Sequence, residues 1–288
     1  MRKVEPIPTD ADVAAVTREL EQGARRAVCL RPSPHPVEGV QGSYFGGLPR
    51  LPPGAPWPRV RNGLIPATFV AQIRLADIPD FSGRDELPEF GVLYFFVDSD
   101  FDESKLTCAV LYYPGDASRY EEALPPADLA RLRDVQAARL SSQPAHAIAT
   151  RDVCYSFAPI VVTSYCSWNY FPYPGGRENK EKQAKWEIME AAWPIAYSRL
   201  QMEALEIAGL QTGAGNWWWP PRHQMFGYGW QVQFAPIDRK DQVLLLQVAG
   251  DGVLAGHDEL GCILQFWITH ENLSARRFDR TEVTIECD

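Results

Sequence analysis

Gly91-Val92-Leu93-Tyr94-Phe95-Phe96-Val97 is an unbroken run of β-branched and aromatic residues opened by a glycine, and Gly261-Cys262-Ile263-Leu264-Gln265-Phe266-Trp267 has the same design. Runs of this length and composition, bounded by breakers, read as buried strands. Working outward from each, the preceding residues also correspond. The first run follows Phe45-Gly46-Gly47-Leu48-Pro49 and then Phe69-Val70-Ala71-Gln72-Ile73. The second follows Phe226-Gly227-Tyr228-Gly229 and then Leu244-Leu245-Leu246-Gln247-Val248. In both, a Phe-Gly turn precedes a strand carrying a glutamine, and a glycine then opens an aromatic strand. Any two short apolar strands look alike, so the argument for a repeat rests on the order of the blocks. The connecting lengths differ, as loops tolerate.

The expected fold class is therefore α+β, mainly β: two pseudo-repeated sheet halves, roll-like, with peripheral helices. One domain is expected over residues 1–288, with the duplicated parts at 43–115 and 223–288. A helical N-terminal segment is predicted over 9–26, where Thr9 or Asp10 caps Val13, Val16, Leu20 and Ala24 at helical spacing. A second helix is predicted over 126–140. A helical insert is predicted over 178–208, in which Pro194 should kink or split the helix. Further strands are predicted over 106–113, near Tyr155, and over 160–162, 230–234, 243–248 and 282–286, with a short helix near 271–276. Residues 32–58, dense in proline and glycine, read as turns.

With 45% hydrophobic and 23% charged residues in 288, the composition is that of an ordinary globular chain. The net charge of −9, without a dense Lys/Arg stripe, argues against a nucleic-acid partner. The six cysteines (Cys29, Cys108, Cys154, Cys166, Cys262 and Cys287) include no C-x-x-C pair and no zinc-site spacing, so all are expected as reduced thiols. No apolar run approaches membrane-spanning length, and no apolar segment follows Met1-Arg2-Lys3. A cytoplasmic protein without membrane contact is the expectation.

The phosphate loop, H-E-x-x-H, the G-x-S-x-G elbow and a complete G-x-G-x-x-G are all absent from the sequence, and no cofactor is expected. No metal is expected either. Asp98 and Asp100, with Asp102 and Glu103, lack the glycine and terminal glutamate of a calcium loop and read as a solvated turn. His223, beside a glycine turn, is the weak catalytic candidate, an acid or base near neutral pH. Its structural alternative is a ring satisfied by neighbouring backbone groups, and no nucleophile or carboxylate is fixed to it by spacing. Gln72, Gln233 and Gln247 stand in or beside apolar strands, where a buried amide must be hydrogen-bonded. Either they pin the Phe-Gly turns of their own halves, or they point into a shared cleft and read a ligand. Trp217-Trp218-Trp219 and the aromatic loop over 165–173 either fill gaps under long loops or form a binding patch.

At these residues the chain resembles the YwqG-like family, a bacterial domain family of unknown function. The likeness is carried by Gly46-Gly47-Leu48-Pro49-Arg50-Leu51-Pro52 with Trp57-Pro58, and by Phe69-Val70-Ala71-Gln72-Ile73 and Gly91-Val92-Leu93-Tyr94-Phe95-Phe96. It continues through His223-Gln224-Met225-Phe226-Gly227-Tyr228 with Gln233, and from Leu245-Leu246-Gln247 to Phe278-Asp279. Gly229 departs from the pattern, which usually has proline after the Gly-Tyr pair. The resemblance implies a mainly β, roll-like fold with peripheral helices, and no established reaction. Similar domains lie beside toxin and immunity genes, which implies a toxin-like protein partner.

Two readings of function follow. The first is a non-enzymatic binding protein, of immunity or inhibitor type, that engages a protein or small ligand in the groove between its halves. That groove would be lined by Gly46, Gly47, Trp57, Gln72, His223, Gly227, Tyr228, Gln233 and Gln247, because pockets favour such junctions. The alternative is a small-molecule enzyme, hydrolase-like, with His223 as acid or base. It requires His223 to face a concave pocket beside another titratable group.

Overall fold

Thr9 starts the first helix, α1 (Asp10–Gln22). Its hydroxyl accepts from the Asp12 N–H while the Asp12 carboxylate accepts from the Thr9 N–H, a reciprocal cap. Val13, Val16 and Leu20 form its buried stripe. The predicted helix over 9–26 is shorter than expected. Its period ends at Gly23, and Val28 and Leu30 begin the two-residue alternation of a strand, β1 (Arg25–Pro32). This is a computed structural model, and it describes residues 6–35, 37–98, 106–129, 154–166, 180–210, 222–230, 239, 241–249 and 263–286.

After β1 come the short strands β2 (Tyr44–Gly46), β3 (Arg50–Leu51), β4 (Arg59–Val60) and β5 (Ile65–Pro66), set among the expected turns. Longer strands follow, β6 (Thr68–Arg74), β7 (Val92–Val97) and β8 (Cys108–Tyr113), then β9 (Glu121–Glu122) and β10 (Cys154–Ser164). The last of these joins the two predicted strands near 155 and 160–162 into one. Helix α2 (Lys180–Ile207) runs through Pro194 without the expected split. The chain closes with β11 (Gln224–Phe226), β12 (Gln242–Ala249), β13 (Ile263–Thr269), helix α3 (His270–Ser274) and β14 (Glu282–Glu286). The predicted helix over 126–140 and strand over 230–234 lie largely outside the described residues.

Ten strands form one antiparallel sheet in the order β14-β13-β12-β11-β1-β10-β2-β6-β7-β8. β1 and β10 pair along its centre, from Arg25 opposite Ser164 to Pro32 opposite Phe157. Reading outward from that pair, each side presents a three-residue strand, a glutamine-bearing strand, an aromatic strand and an edge strand. In chain order the two series are β1-β2-β6-β7-β8 and β10-β11-β12-β13-β14. The first strand of each crosses over: β1 lies beside β11 of the other series, and β10 beside β2.

The sheet is curled into a nearly barrel-like shape. If it were flat, β7 and β13 would stand roughly 34 Å apart, yet the Phe95 and Phe266 rings are 5.2 Å centroid to centroid. Alternate residues of both series (Leu93, Phe95 and Val97; Leu264, Phe266 and Ile268) share one enclosed core with Val28, Leu30, Phe45 and Met225. The opposite faces are covered separately. Tyr44, Phe69, Tyr94 and Phe96 pack under Leu51, Val60, Ala117 and Tyr120. The curl brings the sheet's ends together: Tyr112 packs on Phe278 at 5.3 Å, Cys108 Sγ lies 3.3 Å from the Thr281 carbonyl, and His270 Nδ1 is 2.8 Å from a Glu86 carboxylate oxygen.

Burial pushes the thiols up from their ordinary 9.0: Cys29 to about 11 against the opposing Arg31, Cys166 to about 11, and Cys108 to about 12 with help from Glu282. The folded state thus holds these protons more tightly. The contribution is complete below pH 9 and is lost as pH rises toward 11 and 12, because the unfolded thiols ionise first. The urea midpoint is expected to fall across that window. A midpoint constant across it would contradict this.

Gln201 on α2 is 1% exposed, and among the described residues neither amide atom has a hydrogen-bond partner. An unsatisfied buried amide costs about 1–3 kcal/mol, so Gln201→Met is expected to raise stability by about 1 kcal/mol in urea titrations. A loss of stability would show that the amide is bonded in solution.

Candidate functional site

The glutamines hold the turns of their own halves. Gln72 sits on β6 opposite Tyr44 and Tyr94, and is fully buried. Its Oε1 accepts from the Arg50 N–H at 3.0 Å, and its Nε2 donates to the Gly42 carbonyl at 2.9 Å. The Tyr44 hydroxyl donates to the Leu48 carbonyl at 2.7 Å, and the Tyr94 hydroxyl donates to the Arg50 carbonyl. Three side chains from three adjacent strands thereby clamp residues 46–50.

The other series repeats the clamp with different residues. Gln247 on β12 lies opposite Gln224 and Gln265. Its Oε1 accepts from the Trp230 N–H at 2.7 Å. Gln224 Nε2 donates to the Tyr228 carbonyl at 2.6 Å, and Gln265 Nε2 to the Trp230 carbonyl at 2.5 Å. Tyr44 thus corresponds to Gln224, Tyr94 to Gln265 and Arg50 to Trp230. Tyrosine hydroxyl and glutamine amide serve the same purpose, because each projects a donor to the same backbone oxygen.

This correspondence corrects the register read from the sequence. Phe45-Gly46 is not the counterpart of Phe226-Gly227; Gly46-Gly47 is. Both pairs are left-handed, with φ of 70° and 66° in the first and 62° and 68° in the second. Phe226 holds that conformation although it is not glycine, which costs roughly 1–2 kcal/mol, and its ring packs on Phe81 at 5.0 Å. Gly47 leaves little room for a side chain, and Gly227 leaves none. A Cβ would lie 3.0 Å from Cys154 Cβ at the first, and 2.7 Å from Ser164 Cβ at the second.

The groove expected between the halves is not assembled from these residues. Gln72 and Gln247 alternate with core residues along their strands, so both face away from the shared core. Their strands are five apart in the sheet, roughly 24 Å along it. Trp57 donates to the Ala67 carbonyl at 2.8 Å and packs edge-on against Phe96 in the first half. Tyr228 donates its hydroxyl to the Gly23 carbonyl at 2.6 Å, with Arg25 over its ring at 4.3 Å. Gln233 lies outside the described residues. His223 is 3% exposed, with its ring 4.9 Å from that of Phe45, and its carbonyl accepts from the Leu30 N–H. Among the described residues, the ring's neighbour is the Phe45 ring, and no second titratable group is placed beside it. Among the described residues, no group of His, Cys, Asp and Glu could hold a metal ion.

A cleft does open elsewhere, between the helices attached to the two central strands. α1 leads through Gly23 into β1. α2 packs on β10, and Tyr165 and Cys166, which follow β10, join the helix–helix core of Val13, Val16, Leu20, Ala196 and Leu200. Outside that core is a cleft of about 700 Å³ with Val13 and Leu200 in its floor and Asp10, Arg18, Glu21, Arg199 and Glu203 around it. Among the described residues, no ion pair joins these five charges to each other or to any other group. Glu21 and Glu203 both line this cleft, and burial, then the charges of Glu203 and Glu21, push the Tyr165 phenol up, against Arg26. Sequence reading missed this site. The available signal was the charge recurring along α1 at positions 10, 18 and 21 beside the apolar stripe.

A curled ten-stranded antiparallel sheet, with two equivalent clamped turns and a helix pair on its central strands, defines a mainly β protein with peripheral helices. Residues 43–287 match the model of a domain of unknown function, DUF1963, and the chain belongs to that family. The match begins after α1 and β1. No curated protein matches the chain. No helix among the described residues is long and apolar enough to cross a membrane.

Proposed function

We propose that the chain is a binding protein of immunity or inhibitor type, without catalysis of its own, that engages a protein partner at the α1–α2 cleft. One observation carries the reading: five charged side chains line an open cleft without pairing with one another. Rim charges of this kind set association rate and partner choice. The net charge of −9 adds a field that favours cationic surfaces. In this reading the glutamines and left-handed glycines are scaffold, which is what their hydrogen bonds to backbone support. The YwqG-like resemblance is the finer affiliation, and a toxin-like partner is its implication. The two strand series are read as copies of one duplicated unit whose first strands have been exchanged, supported by the matching strand order and the matching clamps.

The test is affinity purification with the wild type and with Glu203→Arg. A protein retained at micromolar concentration by the wild type and lost by the variant is expected. The variant's stability should stay within about 0.5 kcal/mol, as for a surface substitution. Recovery of no protein, or equal retention by the variant, would contradict the reading.

A further inference from the structure

Strand β10, at the centre of the sheet, is paired on one side only for most of its length. β1 accompanies it over residues 157–164, whereas β2 meets it only at Cys154, Tyr155 and Ser156. The Ser33 N–H donates to the Ser156 carbonyl at 2.7 Å, in the same register that sets Arg31 opposite Ala158. Backbone groups alternate in direction along an antiparallel strand. Ala158, Ile160, Val162 and Ser164 therefore turn theirs to β1, and Phe157, Pro159, Val161 and Thr163 turn theirs the other way. Among the described residues, no backbone group meets them there.

Burial and composition agree with an open edge. β7, with a neighbour on each side, is buried along its whole length. β10 is half-buried over 154–157 and 159–161, and exposed at Ala158. Pro159 has no N–H, and proline within a sheet stands where its missing donor faces no neighbour. Edges are commonly protected by charge, yet residues 157–163 carry none. One charge leans onto the strand from β1. Arg26 is the cross-strand partner of Thr163, and its Nη1 donates to the Thr163 hydroxyl at 3.1 Å. Among the described residues, no carboxylate pairs with Arg26. A second copy of this edge fits poorly. Each Pro159 would leave a facing carbonyl without a donor, and each Arg26 would bring a positive charge with no carboxylate to meet it.

We propose that the open edge of β10 over residues 157–163 is the docking site for an extended segment of a protein partner. The segment adds antiparallel to the sheet and sets an aspartate or glutamate opposite Thr163, against Arg26. Main-chain hydrogen bonds to Phe157, Val161 and Thr163 supply the attachment, and the carboxylate supplies the selectivity. The residues that line the α1–α2 cleft include none of β10, so this surface stands apart from that reading.

The experiment uses the full chain and three synthetic peptides of about nine residues, long enough to span the edge at roughly 3.4 Å per residue. All alternate threonine and valine around one central charged residue. The first carries glutamate and is N-methylated on the edge facing away from β10. The second has the same sequence but is methylated on the facing edge, and the third is the first with lysine for glutamate. Binding is followed by calorimetry, and amide hydrogen exchange is read along β10. In the free protein the Val161 and Thr163 amides are expected to exchange rapidly and those of Ile160 and Val162 slowly. The first peptide should bind and slow the exposed pair, and the second should not bind. The third should bind at least about tenfold more weakly, and Arg26→Glu should reverse the preference between glutamate and lysine. Val161→Pro, which removes a facing N–H that the fold does not use, should weaken binding while the Ile160 and Val162 amides stay protected. Slow exchange of Val161 and Thr163 in the free protein would show the edge already covered and overturn the proposal. Failure of the first peptide to bind would overturn it too, as would equal binding of the second, which would be adsorption through side chains alone. Self-association of the chain that Val161→Pro abolishes would make the occupant a second copy and overturn the assignment to a partner.

Discussion

Gln72→Leu is expected to destabilise the protein by about 4 kcal/mol, and Gln247→Leu by a similar amount. Leucine has nearly the volume of glutamine, so packing changes little. The first substitution strands the part-buried Arg50 N–H and Gly42 carbonyl. The second strands the part-buried Trp230 N–H and removes one bond from the buried Gln265 amide, which keeps its bond to the Trp230 carbonyl. Each unsatisfied buried group costs about 1–3 kcal/mol. Urea unfolding followed by tryptophan fluorescence gives the numbers. Were these amides ligand readers, the leucine variants would fold with unchanged stability and lose only binding. That outcome would remove the clamp from the account.

Gly227→Ala is expected to cost roughly 3 kcal/mol or more. At φ 68° the added Cβ incurs the left-handed penalty of roughly 1–2 kcal/mol. It also lands 2.7 Å from Ser164 Cβ and Oγ and 2.8 Å from Ala27 Cβ. Those atoms belong to the two central strands, which pair from Arg25 opposite Ser164 to Pro32 opposite Phe157. Overpacking of this kind adds about 1–3 kcal/mol. The Ser164 hydroxyl also accepts from the Tyr228 N–H at 3.0 Å, so displacing it loosens the turn further. Gly54→Ala is the control. Its φ is 77° but nothing lies within 4 Å of its Cβ, so only the backbone penalty applies. Equal melting temperatures for the two variants would contradict the close approach of the turn to β10 and β1.

The sheet was legible in the sequence because its strands carry dense β-branched and aromatic runs: β6, β7, β12 and β13 were all found from composition alone. β1 was not, because Arg25, Arg26 and Arg31 dilute its apolar residues and the helix before it continues the same charge pattern. The exchange of β1 and β10 between series was invisible, since nothing in a strand's composition names its neighbour. Of the two roles weighed for the glutamines, the structural one matches the observed hydrogen bonds of Gln72 and Gln247. Their supposed meeting in one groove failed because an alternating strand places Gln72 and Gln247 on the outer face. The counterpart of Tyr94 is Gln265, a pairing that residue similarity cannot reveal, because what is shared is the position of a donor. The cleft escaped notice for the opposite reason. Its charges sit on two helices far apart in the sequence, and only the packing of α1 on α2 brings Glu21 and Glu203 to one cleft.

Amide hydrogen exchange at Arg50 and Trp230 probes the two clamps most directly. Arg50 opens the two-residue strand β3 and Trp230 lies outside any strand, yet each N–H is predicted to exchange as slowly as the amides of β7 and β13, because a buried glutamine oxygen accepts from it. Gln72→Leu should release Arg50 alone, and Gln247→Leu Trp230 alone. Rapid exchange of either amide in the wild-type protein, at the rate of an open loop, would contradict the claim that the two halves are built around the same buried amide.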